Sequence, residues 1–141
     1  MRTNLRRNER GAALIEAAIT IPIILLIAVG IFEFGRAYQT WQVLTNAARE
    51  GARIAVLPDY TDTDVNNAVR NYMTGGRLTN ASTATISIVR NVPFGAATAS
   101  RVTVNYPFQF VVLGPVARLV RSNSTAGAPL TMSSSALMRN E

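Results

Sequence analysis

Residues 11–35 read GAALIEAAITIPIILLIAVGIFEFG, a run of 25 residues whose only charges are Glu16 and Glu33. At about 1.5 Å per residue, a helix of this length covers roughly 37 Å, more than the ~30 Å hydrocarbon core of a bilayer. The run therefore predicts a membrane-spanning helix over residues 12–35. Pro22 removes one backbone donor inside it, which membrane helices tolerate where neighbouring groups compensate. The helical period continues beyond the run: Ala37, Trp41, Leu44, Ala48, Ala52 and Ala55 recur at steps of three or four, with Arg36, Gln39, Asn46, Arg49, Glu50 and Arg53 on the other faces. The pattern predicts an amphipathic continuation over residues 36–57, stopped by Pro58, and hence one rod roughly 65 Å long.

Residues 58–141 change period. Thr61, Asp62, Thr63 and Asp64 offer N-cap oxygens, and Val65, Ala68, Val69 and Tyr72 follow at helical spacing before Gly75 and Gly76, predicting a short helix over residues 63–74. Alternation of Ala84, Ile86 and Ile88 with Thr85 and Ser87 predicts a strand to about Arg90. Pro93 and Gly95 predict a loop over residues 91–98, and Val102, Val104 and Tyr106 share one face of a second strand over residues 100–106, ended by Pro107. Phe108, Phe110, Val111, Val112 and Leu113 form an apolar cluster read as core under a loop, the other reading being an exposed assembly patch. Val116 to Val120 suit a helical turn, residues 122–128 read as a flexible connection, and residues 129–138 as a last strand, either an edge strand or one lying against the rod. The expected architecture is α+β: a long N-terminal transmembrane helix extending into a small head with an approximately three-stranded antiparallel sheet.

Two groups on the rod stand out. Ala48, Gly51, Ala52 and Ala55 form a small-residue stripe on which the head can pack closely. Gly51 weakens a helix by about 1 kcal/mol relative to alanine, which implies a packing reason for it. Glu33 and Arg36, three residues apart at the far membrane edge and flanked by Phe32, Phe34, Tyr38 and Trp41, read as an interfacial anchor rather than a ligand site.

Charge changes the picture mainly at the N-terminus. The net charge is +6, and Arg2, Arg6, Arg7 and Arg10 against Glu9 supply half of it within residues 1–11, a basic leader. By the positive-inside rule this leader stays cytoplasmic and the head crosses the membrane. A secretory signal peptide also begins basic and turns apolar, but its apolar stretch is about 7–15 residues, shorter than this one. Glu16 inside the run costs a few kcal/mol unless paired or near the interface. One account places it in the first turns of the helix, where the macrodipole and the headgroups favour a negative charge. The other follows from cleavage after Gly11, which makes Ala12 the new N-terminus and Glu16 its fifth residue, placed to neutralise the α-amine of a neighbouring subunit.

The stretch RGAALIEAAITIPIILLIAVGIFEFGRAYQTWQVLTNAAREGARIAVLP resembles the N-terminal region of the TadE-like family, the minor pilins or pseudopilins of the bacterial Tad (tight adherence) pilus. The resemblance lies in Gly11 and Glu16, Pro22, the Glu33-Phe34-Gly35-Arg36 block and residues 46–53, NAAREGAR. The closing residues 136–141 are also similar. The resemblance implies cleavage after Gly11 by a membrane-embedded prepilin peptidase, with Glu16 as the fifth-position acid. It further implies partnership with membrane lipid, other pilins and the pilus assembly platform, in the bacterial inner membrane or a surface pilus. Ala17 stands where Tad-type pilins commonly carry an aromatic residue.

The chain has no cysteine and no histidine, which removes disulfides, thiolate nucleophiles and the commonest general base. Serines lack a plausible base, so the expectation is a non-enzyme without cofactor. Asp59, Asp62 and Asp64 lack the glycine and terminal glutamate of an EF-hand loop, and no metal site is assigned. The head arginines Arg70, Arg77, Arg90, Arg101, Arg118 and Arg121 read as a solvated surface without interleaved aromatics, so nucleic acid is not an expected partner. The rival readings are an uncleaved membrane-anchored scaffold of a secretion or pilus machine, and a tip pilin that binds DNA or a surface.

Overall fold

The structure, a computed structural model, describes residues 5–120 and 129–140, with side chains from residue 11 except those of residues 117–120. The arginine side chains of the basic leader and the connection expected over residues 122–128 lie outside the described residues. Helix α1 (Leu5–Ala55) is a single α-helix of 51 residues, unbroken at Pro22. Its last turn closes with the Leu57 amide donating to the Ile54 carbonyl at 3.1 Å, directly before Pro58. The helix ends two residues short of the expected Leu57 because a residue preceding proline is pushed out of the α region.

The head follows as α2 (Asp62–Gly75), a single 3-10 turn (Ala81–Thr83), β1 (Thr85–Phe94), β2 (Ala97–Phe108), α3 (Leu113–Val120) and β3 (Leu130–Arg139). The three strands form an antiparallel sheet in the order β1-β2-β3. The long apolar helix with a three-stranded antiparallel head is the α+β arrangement expected. One face of the central strand β2, with Val102, Val104, Tyr106 and Phe108, closes a core with Leu44, Ala47, Ala48, Ala52 and Ala55 of α1 and Val65, Val69 and Met73 of α2. These α1 positions follow the three-four spacing of one helix face, and those of α2 recur every four residues, so both helices meet the sheet along a single stripe. β3 is both an edge strand and a neighbour of α1, with Ser134 Oγ 3.2 Å from Thr45 Oγ1.

Three local expectations are corrected. Residues 91–98 are not a loop: β1 and β2 continue as a hairpin to the pairs Pro93↔Thr98 and Phe94↔Ala97, turning at Gly95 with φ +62°. Pro93 fits because β1 has a free edge. Pro107 does not end β2, which pairs with β3 as far as Phe108↔Leu130. Proline is tolerated there because Pro107 lies beyond the last β1 pair, Thr85↔Asn105, where β2 has one open side. The helical turn expected over Val116 to Val120 begins earlier, at Leu113, with Gly114 and Pro115 in the first turn of α3, where proline's missing amide is no loss.

Of the N-cap oxygens that residues 61–64 offer, those of Thr61 and Asp64 close a capping box on α2. Thr61 donates its amide (2.8 Å) and hydroxyl (2.6 Å) to Asp64 Oδ2, and the Asp64 amide returns to Thr61 Oγ1. The Thr61 hydroxyl, and then its amide, hold the Asp64 carboxyl below the usual aspartate range. A carboxyl whose folded value is depressed adds stability that is fully present above its unfolded value of about 3.9 and is lost as pH falls toward the folded one. Asp64→Asn is therefore expected to flatten that acid limb of the stability curve. Chemical denaturation of both proteins at a series of pH values below neutrality measures this, and parallel curves would refute it.

Candidate functional site

Along residues 11–32 α1 is exposed on nearly every side, with Leu14, Ile15, Ile19, Ile31 and Phe32 all more than half accessible. A soluble helix this apolar would be covered by protein. Here the head begins only at residue 33, and among the described residues this is the one helix long and apolar enough to cross a membrane. A single-pass membrane anchor is compatible with that surface. Gly11, Ala12 and Glu16 all lie exposed on it, and a Cβ at Gly11 would meet nothing within 4 Å. The peptide after Gly11 is thus unobstructed by the head. None of the ion pairs among the described residues includes Glu16.

At the end of the exposed span lies a joint that the sequence does not reveal. Glu33 is fully buried and uses both carboxylate oxygens. Oε2 accepts from Arg36 Nη1 at 2.9 Å, while Oε1 accepts from the backbone amides of Val112 (2.5 Å) and Leu113 (3.4 Å) at the N-terminus of α3. A carboxylate at a helix N-terminus receives donors that the helix cannot satisfy itself and opposes the positive end of its dipole. The Arg36 guanidinium also lies over the Phe108 ring, 5.4 Å from its centroid, and Phe108 meets Phe110 edge to face at 5.2 Å. Glu33 and Arg36 thus tie the head to the end of the span. Of the other anchor residues, Phe32, Phe34, Tyr38 and Trp41 remain exposed, with the Tyr38 and Trp41 rings 6.3 Å apart. The apolar cluster after β2 is divided: Phe108 is buried, whereas Val111 is exposed.

The small-residue stripe holds the other end. Ala48, Gly51, Ala52 and Ala55 are all buried. A Cβ on Gly51 would fall 2.5 Å from Val69 Cγ2 and 3.1 Å from Val102 Cγ1, so α2 and β2 both close on the helix at this point. The free carbonyl of Ala55 receives Arg90 Nη1 at 2.7 Å and the buried Ser100 hydroxyl at 3.3 Å. Arg90 also reaches the Tyr60 carbonyl and Asp62 Oδ1. A β-bulge between Val89 and Val92 aims this side chain inward. Arg70 likewise clamps the carbonyls of Ala81, Ser82 and Ala84. Arg70 and Arg90 are therefore clamps and not the solvated surface expected of them. No sequence signal singles them out, because their partners are backbone carbonyls.

Asp62 and Asp64 are engaged by Arg90 and Thr61, and among the described residues no three acidic, histidine or cysteine side chains converge as metal ligands.

The arrangement defines a class: a protein with a long apolar N-terminal helix whose small α+β head is built on the distal part of that same helix. Residues 11–53 match the family model described as TadE-like protein, and this segment contains the Gly11, Glu16, Pro22, 33–36 and 46–53 features of the resemblance. The TadE-like segment points to a Tad pilus-associated protein; the head from α2 onward lies outside the match. No curated protein and no solved structure matches the chain.

Proposed function

We propose that this protein is a minor pilin or pseudopilin of a Tad-type pilus, a structural subunit and not an enzyme. It is inserted with its N-terminus cytoplasmic, trimmed after Gly11 by a prepilin peptidase, held in the bacterial inner membrane, and assembled through its apolar helix for pilus biogenesis and surface adhesion. The observation that carries this reading is the bare helix of residues 11–32 within a TadE-like segment, with the head on the distal part of the same helix. A helix left uncovered on nearly all sides can exchange lipid for the helices of neighbouring subunits. Packing of that kind draws Glu16 toward a partner's new α-amine, since an unpaired carboxylate among apolar helices is costly.

Mass spectrometry of the protein from cells with an active prepilin peptidase should show Ala12 as the first residue. An intact residue 11 would instead support the uncleaved scaffold. With trimming established, Glu16→Ala is expected to lower filament yield while leaving membrane insertion unchanged, and a wild-type yield would remove the register role of Glu16.

A further inference from the structure

At the membrane-proximal end of the head, a cleft of about 380 Å³ opens between α1, the turn after α2 and the end of β2. Its lining includes Arg36, Gln39, Arg77, Asn80, Gln109 and Val111, with two arginines and no carboxylate. Glu33, the acid beneath Arg36, is fully buried and divides its charge between Arg36 and the amides of Val112 and Leu113. The cleft therefore presents a net positive field together with amide donors.

Its depth is set by the helix. Arg36 and Gln39 lie four and seven residues beyond the exposed Phe32, or about 6 and 10 Å along the axis. The polar zone of a bilayer extends roughly 5–8 Å beyond each side of the hydrocarbon core. With the exposed Val111 on its lining, the cleft lies at the level of the headgroups of a bilayer that α1 spans.

Arg77 adds an independent observation. It has φ +61°, a conformation that favours glycine, and it closes the end of α2 by donating its amide to the Thr74 carbonyl at 2.9 Å. The preceding residue, Gly76, has an ordinary φ of −75° and is glycine for another reason: a Cβ there would fall 2.5 Å from Val43 Cγ1. The chain thus keeps an arginine at the one position of this turn where glycine would be easier. Strain retained beside a cleft is characteristic of binding sites.

We infer that this cleft binds the phosphodiester headgroup of an anionic membrane phospholipid, with Arg36 and Arg77 as the charged donors and Gln39, Asn80 and Gln109 as the neutral ones. Guanidinium groups suit phosphate oxygens, and the volume falls in the range of small-molecule sites. A bound lipid fixes the head's rotation and tilt over the bilayer before assembly. The inference rests on α1 being a membrane anchor.

The test uses the full chain in zwitterionic detergent micelles, titrated with phosphatidylglycerol, with phosphatidylcholine and with water-soluble glycerophosphoglycerol, and reads retained copies by native mass spectrometry. Wild type should retain phosphatidylglycerol in preference to the other two. Arg77→Gly should weaken that retention on the order of tenfold, the loss of a charge-assisted contact, while melting no lower than wild type because glycine relieves the backbone. Equal retention by wild type and Arg77→Gly, or equal retention of phosphatidylcholine, would overturn the site. Glycerophosphoglycerol binding as tightly as the lipid would overturn the membrane source. Failure of the chain to insert into vesicles would remove the anchor reading itself, whereas insertion without selective retention removes only this inference.

Discussion

Replacing Glu33 with alanine is expected to destabilise the head by on the order of 3 kcal/mol, because it strips three donors of one acceptor group at once. Arg36 loses its ion-pair partner, and the amides of Val112 and Leu113 lose their acceptor. Each buried donor left without a partner costs about 1–3 kcal/mol, and breaking a buried pair about 3–5 kcal/mol. The effects do not add in full, and the low end of the buried-pair figure applies, because the Arg36 side chain is 35% exposed and keeps its place over Phe108. For a domain with a total stability of about 5–15 kcal/mol this is a large fraction. Thermal unfolding of the full chain in micelles, followed through Trp41, measures the effect. Glu33→Gln keeps an oxygen for the α3 amides and loses the charge, so it should fall between the two. If Glu33 acted only as an interfacial anchor, both variants would melt like wild type and would instead change membrane insertion.

Gly51→Leu is expected to prevent close docking of α2 and β2 on the rod, at a cost of about 3 kcal/mol or more from overpacking. Even the single Cβ of Gly51→Ala meets Val69 Cγ2 at 2.5 Å, and Val102 Cγ1 at 3.1 Å blocks an escape to the other side. Valine is stiff about χ1 on a helix, so Val69 cannot swing clear. Against this stands the roughly 1 kcal/mol that alanine gains over glycine in helix propensity. Gly51→Ala should therefore be destabilising by about 1 kcal/mol net. Gly51→Ala combined with Val69→Ala should recover more than the two single changes predict when added, which a double-mutant cycle reads directly. Additivity in that cycle would show that the two residues are not in contact.

The proposed assembly site was the most legible part of the chain. Gly11, Glu16 and the apolar run depend only on local composition, and both residues lie exposed on α1. Gly51 was legible too, since a glycine in an otherwise strong helical stripe needs a reason, and Val69 and Val102 supply it. Glu33 was legible only in part, through its pairing with Arg36. Its sequence neighbours are aromatic residues and Arg36, whereas two of its three donors lie near residue 112. The hairpin through residues 91–98 was obscured because Pro93 and Gly95 are turn residues in isolation, and only the position of β1 at the sheet edge makes Pro93 harmless.

By itself the sequence determined whatever follows from periodicity and local chemistry: the apolar helix, its amphipathic continuation, the alternation in β2, the N-cap oxygens of residues 61–64 and the TadE-like segment. These depend on residues a few positions apart, whose relative placement the backbone fixes. Only the tertiary structure decided where the head closes on the rod. Glu33 meets the start of α3, Arg90 and Ser100 meet the Ala55 carbonyl, and Arg36 and Arg77 come to line one cleft. The partners in the first two contacts are backbone groups, which every residue carries and no side-chain pattern marks, and their meeting depends on how the helices and sheet dock.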